Sequence, residues 1–176
     1  MDYPNWCYFP KHTSAPEWVS DFAQAVKKNK ENLESVNHNE YSSDMVLECL
    51  REELENLQWE IETGKKKEQK IARPVLFGER NEWLVKYEID GWHPEHNAVL
   101  EVESGRGWQG NAFYRDLIRA SLINGSEYLV IGLRLSYTYG NVKEQNDYEK
   151  GKEQLEAIYA SGRLQLPFKG VMLFGW

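Results

Sequence analysis

Three patterns in the chain predict a mixed α/β domain, a central sheet with helices on both faces. Ser43 to Leu57 carries Val46, Leu50, Leu54 and Leu57 at the spacing of an apolar helical stripe, with acids and Arg51 over much of the remaining surface. Trp83 to Ile89 and Ala98 to Glu103 both alternate with the period of two that half-buried strands require. Tyr128 to Leu133 is apolar on both faces, as a central strand covered by helices would be.

The remaining elements fit between these. Pro16 to Ser35 places Trp18, Phe22, Ala25 and Val26 at helical spacing and reads as a surface helix. Gln58 to Glu62 is a short strand that breaks at Thr63-Gly64, and Lys65, Lys66 and Lys67 with Lys70 and Arg73 form a basic patch before the next strand. The segment Gly91 to Asn97 is rich in turn formers, so the two alternating strands read as a hairpin. A helix from about Asn111 to Ile123, the apolar strand, a helix from about Tyr148 to Ala160 and a strand from Val171 to Phe174 complete the order α-β-β-β-α-β-α-β. Residues 1–42 are expected to be a helical extension packed on a core formed by residues 43–176.

The chain has 176 residues and a net charge of −7. A domain of that size supports a core without disulfides or a structural metal, and Cys7 and Cys49 are too few for a cysteine framework. No apolar run approaches the roughly 18 residues of a membrane span, and Met1 to Trp6 lacks the basic start and apolar stretch of a signal peptide. A cytoplasmic location is expected. The acidic balance weakens the case for general affinity for nucleic acid but leaves room for a local basic groove beside an acidic metal site.

The hairpin's polar face carries the most information. If Asp90 pairs across from Glu101, paired positions sum to 191, and Glu88 then faces Glu103 on the same side. Two like charges at about 4 Å repel by roughly 4 kcal/mol at an effective dielectric of 20, so four acids on one patch ask for a reason. A divalent cation is one, since carboxylate oxygens are hard ligands suited to Mg²⁺ or Mn²⁺. A solvated face on an exposed hairpin is the alternative.

With Asp90, ten residues, then Glu101-Val102-Glu103, set on adjacent strands behind one helix and ahead of another, the stretch from Ser43 to Leu133 resembles the PD-(D/E)XK nuclease superfamily. The E-x-E ending, in place of the usual E-x-K, is similar to restriction endonucleases of the BamHI type, and the surrounding pattern resembles BglII-like enzymes. The resemblance implies a restriction-endonuclease-like fold and a Mg²⁺- or Mn²⁺-dependent hydrolase acting on DNA phosphodiester bonds. It assigns the metal to Asp90, Glu101 and the carbonyl of Val102, and a water-activating role to Glu103. With the motif lysine absent, Lys86, four residues before Asp90, is a candidate substitute. Glu53, on the helix from Ser43, is a candidate accessory acid, with a solvated helix acid as its alternative. A catalytically inactive binding or regulatory module of the same fold is the rival reading, and double-strand cleavage would call for a homodimer.

Arg106, Arg115 and Arg119 are the expected DNA contacts, the last two one helical turn apart. For that pair, ion pairing with Asp116 or neighbouring acids is an equal alternative. His93 and His96 have metal-pair spacing, but Pro94 forbids the helix that a zinc motif of this type needs. Trp92 and Trp108 flank the acids and read as cleft walls or as core.

Overall fold

A computed structural model describes residues 3–105, 111–138 and 144–176. Its elements are β1 (Asn5–Phe9), α1 (Glu17–Lys28), α2 (Lys30–Leu33), α3 (Ser43–Asn56), β2 (Glu60–Ile61), β3 (Ile71–Phe77), β4 (Trp83–Ile89), β5 (Gly91–His93), β6 (Ala98–Val102), α4 (Ala112–Leu122), β7 (Tyr128–Leu133), α5 (Asp147–Ser161) and β8 (Gly170–Gly175). Six strands form a mixed sheet in the order β1-β8-β7-β6-β5-β2, and β3 and β4 form a separate two-stranded ribbon. The β6-α4-β7 and β7-α5-β8 units are parallel crossovers, while β1, β5 and β2 join antiparallel.

Both faces of the sheet are covered, as the doubly apolar β7 requires. On one face Val130, Met172 and Phe174 meet Val19, Phe22, Val46, Leu50 and Leu54 from α1 and α3. On the other, Leu129, Ile131, Leu133, Val171 and Leu173 meet Phe113 and Leu117 of α4 and Leu155 of α5. Leu50 is fully buried, so Leu50→Ala would cost about 2–5 kcal/mol. Gly132 is set by close approach, because a Cβ there would lie 2.5 Å from the Phe174 ring.

The expected mixed sheet with helices on both faces is present, and the strand pairing corrects two expectations. The hairpin joins β5, not β4, to β6, with Gly91 opposite Leu100, Trp92 opposite Val99 and His93 opposite Ala98. Those pairs keep the sum of 191. Trp83–Ile89 pairs instead with Ile71–Phe77, so Glu88 faces Ala72 rather than Glu103. Alternation marks a half-buried strand without naming its partner, and β3, with Arg73 and Pro74 in it, reads poorly as a strand. The ribbon tolerates Pro74 because a two-stranded sheet leaves an edge where no N–H is needed. The N-terminal stretch is also more than helical: Asn5–Phe9 is the edge strand beside β8.

Candidate active site

Asp90 is held at the junction between the ribbon and the main sheet. Gly91 follows because a Cβ there would crowd Ile61, Leu100 and the Glu60 carbonyl at 3.0 to 3.2 Å. The Asp90 carbonyl accepts the Glu62 N–H at 2.9 Å, and its carboxylate accepts the Val102 N–H at 2.7 Å. Asp90 is thereby fastened to the segments on either side of it. Glu101 and Glu103 flank Val102, whose side chain lies in the α1/α3 core, so alternation sends the two acids toward α4. The Glu103 N–H continues the sheet onto the Gly132 carbonyl.

Two helices close the site. Ser42 caps α3 by accepting the Met45 N–H, and the first helical residue, Ser43, bonds Ser104 at 3.1 Å, which brings Asp44 to the rim. α4 buries Phe113, Leu117 and Ala120 and presents Arg115, Asp116 and Arg119. The result is a cleft of about 350 Å³ lined by Asp44, Glu62, Glu88, Asp90, Glu101, Glu103 and Asp116, with Lys70, Arg115 and Arg119 as its basic side chains. Acids dominate it.

Burial sets the electrostatics. Asp90 is pushed up to about 7 by burial, with Glu62 and Asp116 adding repulsion against the Val102 hydrogen bond and Lys70. Burial also lifts Glu103 to about 8, followed by a hydrogen bond with Asp116, while Arg115 pulls it down. Glu101, only 7% exposed, is raised well above the usual carboxylate range by burial and then by Asp90. One of its oxygens, Oε1, is buried with no hydrogen-bond partner among the described residues. Arg115 bonds Glu103 at 2.5 Å and Asp116 at 2.9 Å. Arg119 donates to the Glu88 carbonyl at 3.0 Å and lies over the Tyr87 ring.

Among the described residues no three His, Cys, Asp or Glu side chains are gathered into a ready-made metal cage. The donor chemistry nevertheless fits Mg²⁺, which keeps several waters and usually takes only one or two carboxylates plus substrate phosphate. Glu101 Oε1 has no hydrogen-bond partner among the described residues, and burial raises the neighbouring Asp90 and Glu103 toward their protonated forms, a shift that a bound cation would oppose.

The structure therefore brings Asp90, Glu101, Val102, Glu103, Arg115 and Arg119 to one cleft. Arg106 and Trp108 lie outside the described residues. Glu53 is not in the cleft: it pairs with Lys28 at 2.6 Å beside a different cavity, against α1. Lys86 is also absent from it, exposed on β4 opposite Pro74, because the strand belongs to the ribbon. Trp92 is buried under the Arg73 guanidinium. His93 and His96 stack on each other, and both ring nitrogens of His93 are engaged, by the Leu57 carbonyl at 2.9 Å and the His96 N–H at 3.3 Å. The sequence reading missed Glu62, Lys70, Asp44 and Asp116 as cleft residues. For Glu62, Lys70 and Asp44 the one legible signal is position, at the starts and ends of elements that converge on Asp90, while Asp116 sits within α4 beside Arg115.

The solved structure of restriction endonuclease BglII complexed with a DNA 16-mer is similar to this chain, with a TM-score of 0.53, 13% identity, and coverage of 98% of this chain and 75% of that one. No family model matches the chain, and no curated protein matches it by sequence. The likeness is one of fold: this chain has a restriction-endonuclease-like architecture, a mixed sheet flanked by helices.

Proposed function

We propose that the protein is a metal-dependent endonuclease of the PD-(D/E)XK type, hydrolysing phosphodiester bonds in DNA. The observation that carries the reading is the convergence of Asp90, Glu101 and Glu103 on one cleft, with a buried Glu101 oxygen that has no partner among the described residues. The fold likeness to a DNA-bound restriction endonuclease supports it. So does the arrangement of the D-x(10)-E-x-E residues, which fits the E-x-E type of motif.

In this mechanism Asp90, Glu101 and the Val102 carbonyl would be the groups that hold Mg²⁺ or Mn²⁺. Such a cation, when bound, neutralises phosphate charge and lowers the pKa of water toward neutrality. Glu103 in its ionised form takes the proton of the attacking water as general base, so the step calls for a pH near its raised value of about 8 or for a cation that favours the ionised carboxylate. The water oxygen forms a bond to phosphorus while one bridging P–O bond breaks, giving a phosphate monoester and an alcohol whose oxygen is protonated from solvent. Arg115 and Arg119 leave their carboxylate and carbonyl partners for backbone phosphates, and Arg106, outside the described residues, is a further phosphate contact in this reading. Residues 43–176 form the nuclease domain in this reading, with residues 1–42 as its extension, and every residue lining the cleft comes from that stretch. Two free cysteines accord with a cytoplasmic setting. No helix among the described residues is long and apolar enough to cross a membrane. A homodimer would cut both strands of a duplex, each protomer serving one.

The test is incubation of the purified chain with duplex DNA in Mg²⁺, with Asp90→Ala as the control. Cleavage by the parent and none by the variant is the expected result, and equal cleavage by both rejects the assignment. A second reading, an inactive binding module of the same fold, draws on the glutamate at the motif's last position and on the ion pairs that occupy Arg115. It predicts DNA or partner binding without cleavage in any divalent cation.

A further inference from the structure

We propose that Lys70 supplies the cation missing from the end of the motif, contacting the attacking water from the segment that leads into β3, and that Glu62 is the positioning residue that aims it. This deepens the nuclease reading and rests on it. The chain after β2 makes a short turn at Lys67–Gln69, tied back by Thr63 N–H to the Gln69 carbonyl at 2.9 Å and by the Gln69 side chain to the Thr63 carbonyl at 3.3 Å. That return sets Lys70 beside Glu62, with Nζ 2.7 Å from Oε2. Glu62 is in turn fixed by its N–H to the Asp90 carbonyl. Lys70, Glu62 and Asp90 thus form one connected set at the cleft wall.

The burial of this pair needs a reason. The Lys70 side chain is 20% exposed and that of Glu62 5%, whereas Lys65, also near an acid, is 83% exposed. A buried ion pair is rarely more stabilising than apolar side chains of the same volume, because desolvation offsets the attraction. Holding an ammonium against an acidic cleft is a use that an apolar pair cannot serve. The other basic groups of the cleft, Arg115 and Arg119, stand on α4 and in the proposed function turn to backbone phosphates, which leaves Lys70, itself paired with Glu62, as the remaining basic side chain among the described residues of the cleft. Lys86, on the exposed ribbon, does not line the cleft. As an ammonium, Lys70 donates only. It orients the water and offsets charge developing on the attacking oxygen, and the water's proton goes to Glu103.

Single-turnover cleavage of duplex DNA by the full chain tests this, using Lys70→Met, Lys70→Arg and the double variant Lys70→Met with Glu62→Gln. The double variant matters because Lys70→Met alone leaves Glu62 buried and unpaired. Both methionine variants should cleave on the order of 100-fold more slowly, the scale of removing one oriented donor at developing charge. Their DNA affinity in Ca²⁺ should stay within about twofold of the parent, so the loss falls on the chemical step. Calorimetric Ca²⁺ affinity should be tighter in Lys70→Met, where only a positive charge has left the acidic cleft, and unchanged in the double variant, where the Glu62 charge has left as well. Lys70→Arg should recover part of the rate. If the double variant cleaves like the parent while Asp90→Ala is dead, the Lys70 inference falls and the nuclease reading stands. Loss of Ca²⁺ affinity or of the fold in the single variant, with normal cleavage in the double, makes the pair structural and also overturns it. A parent chain that cleaves nothing, or an Asp90→Ala variant that cleaves normally, overturns both.

Discussion

The two ends of the β5–β6 hairpin bury polar groups to a similar degree with opposite outcomes. At the turn end His93 is 4% exposed, and at the open end Glu101 is 7% exposed. Each belongs to a set of residues with metal-ligand chemistry. Every polar atom of the His93 ring has a partner, its neutral form is favoured by burial first and His96 second, and its ring packs edge-on against Trp59. Glu101 has an oxygen with no partner among the described residues, and the acids around it push one another's protonation up. Burial alone does not mark a functional group. An unpartnered buried oxygen set among other carboxylates in a cleft is what distinguishes Glu101, since Tyr3, Arg51, Arg73, Arg134, Tyr159 and Trp176 bury an unpartnered polar atom away from that cleft.

The largest test of that contrast is catalytic. Asp90→Ala and Glu101→Ala should each lower Mg²⁺-dependent cleavage by roughly 10³-fold or more, as loss of a group that organises the transition state does. His93→Phe should leave the single-turnover rate within a few-fold of the parent. A His93 variant as inactive as Asp90→Ala, with its fold intact by circular dichroism, would erase the distinction between the two ends.

Next in size is Glu103. If it takes the water's proton, Glu103→Ala should lose about 10²-fold or more in rate, whereas Glu103→Lys should keep measurable activity by restoring the commoner motif ending. Near-parental rates for both variants would move the base elsewhere. Arg115 complicates the alanine variant, since its 2.5 Å partner disappears. DNA affinity should therefore be measured beside the rate.

How much of this site was legible depends on which physical constraint each part obeys. The pairing sum of 191 followed from placing Asp90 opposite Glu101, and the turn at Pro94 to Asn97 enforces the same sum in β5 and β6. Arg115 and Arg119 lie one turn apart on α4, as a period of 3.6 dictates. The departure of β4 into its own ribbon was not legible, because a period of two specifies a face and not a partner. For the same reason Glu88 reached the cleft from the ribbon rather than from across β6. Glu53 failed because a helical wheel ranks angles and not depth along the axis. The cleft meets the first turn of α3 at Asp44, two turns or more before Glu53. Lys70 and Glu62 come together through a turn held by one glutamine side chain, a contact that no periodicity encodes.

A smaller effect is expected on stability, with opposite signs at the two hairpin ends. Asp90 and Glu103 have folded values of about 7 and about 8, raised by burial above an unfolded value near 4. Between roughly pH 4 and 8 the folded chain binds more protons than the unfolded chain, so their contribution is greatest at the acid end and is lost as pH rises through 7 and 8. Metal-free melting temperatures should therefore fall from pH 5.5 to pH 8.5. Asp90→Asn should flatten that slope, and saturating Mg²⁺ should reverse part of it by binding the ionised form. His93→Phe should instead destabilise by about 1–3 kcal/mol at pH 8.5, since the Leu57 carbonyl loses its donor, and by less at pH 5.5, where the parent has to keep a buried imidazole neutral. A metal-free melting temperature that rises with pH, parent and Asp90→Asn alike, would contradict the burial account of the acids.

The smallest expected effect concerns the arginines that border the acidic end. With the chain at −7, long-range attraction cannot hold DNA, and affinity must come from a local rim together with a cation that neutralises the cleft. Arg115 and Arg119 have partners within the protein, so engaging phosphate exchanges one interaction for another and yields a modest net gain. Binding in Ca²⁺ should exceed binding in EDTA, and it should weaken with added salt at a shallow slope. Replacing both arginines by alanine should reduce that slope by about one to two units, roughly 0.9 per lost phosphate contact on duplex DNA. The single variants should separate the two residues. Arg119→Ala spares the Glu103 ion pair, so its slope should change while any shift in the metal-free melting profile comes through Glu101, which Arg119 draws downward. Arg115→Ala should change both, because it removes the group that draws Glu103 downward against burial. An unchanged affinity and slope in the double variant would leave Arg115 and Arg119 as partners of their own carboxylate and carbonyl, with the rim formed by other basic residues.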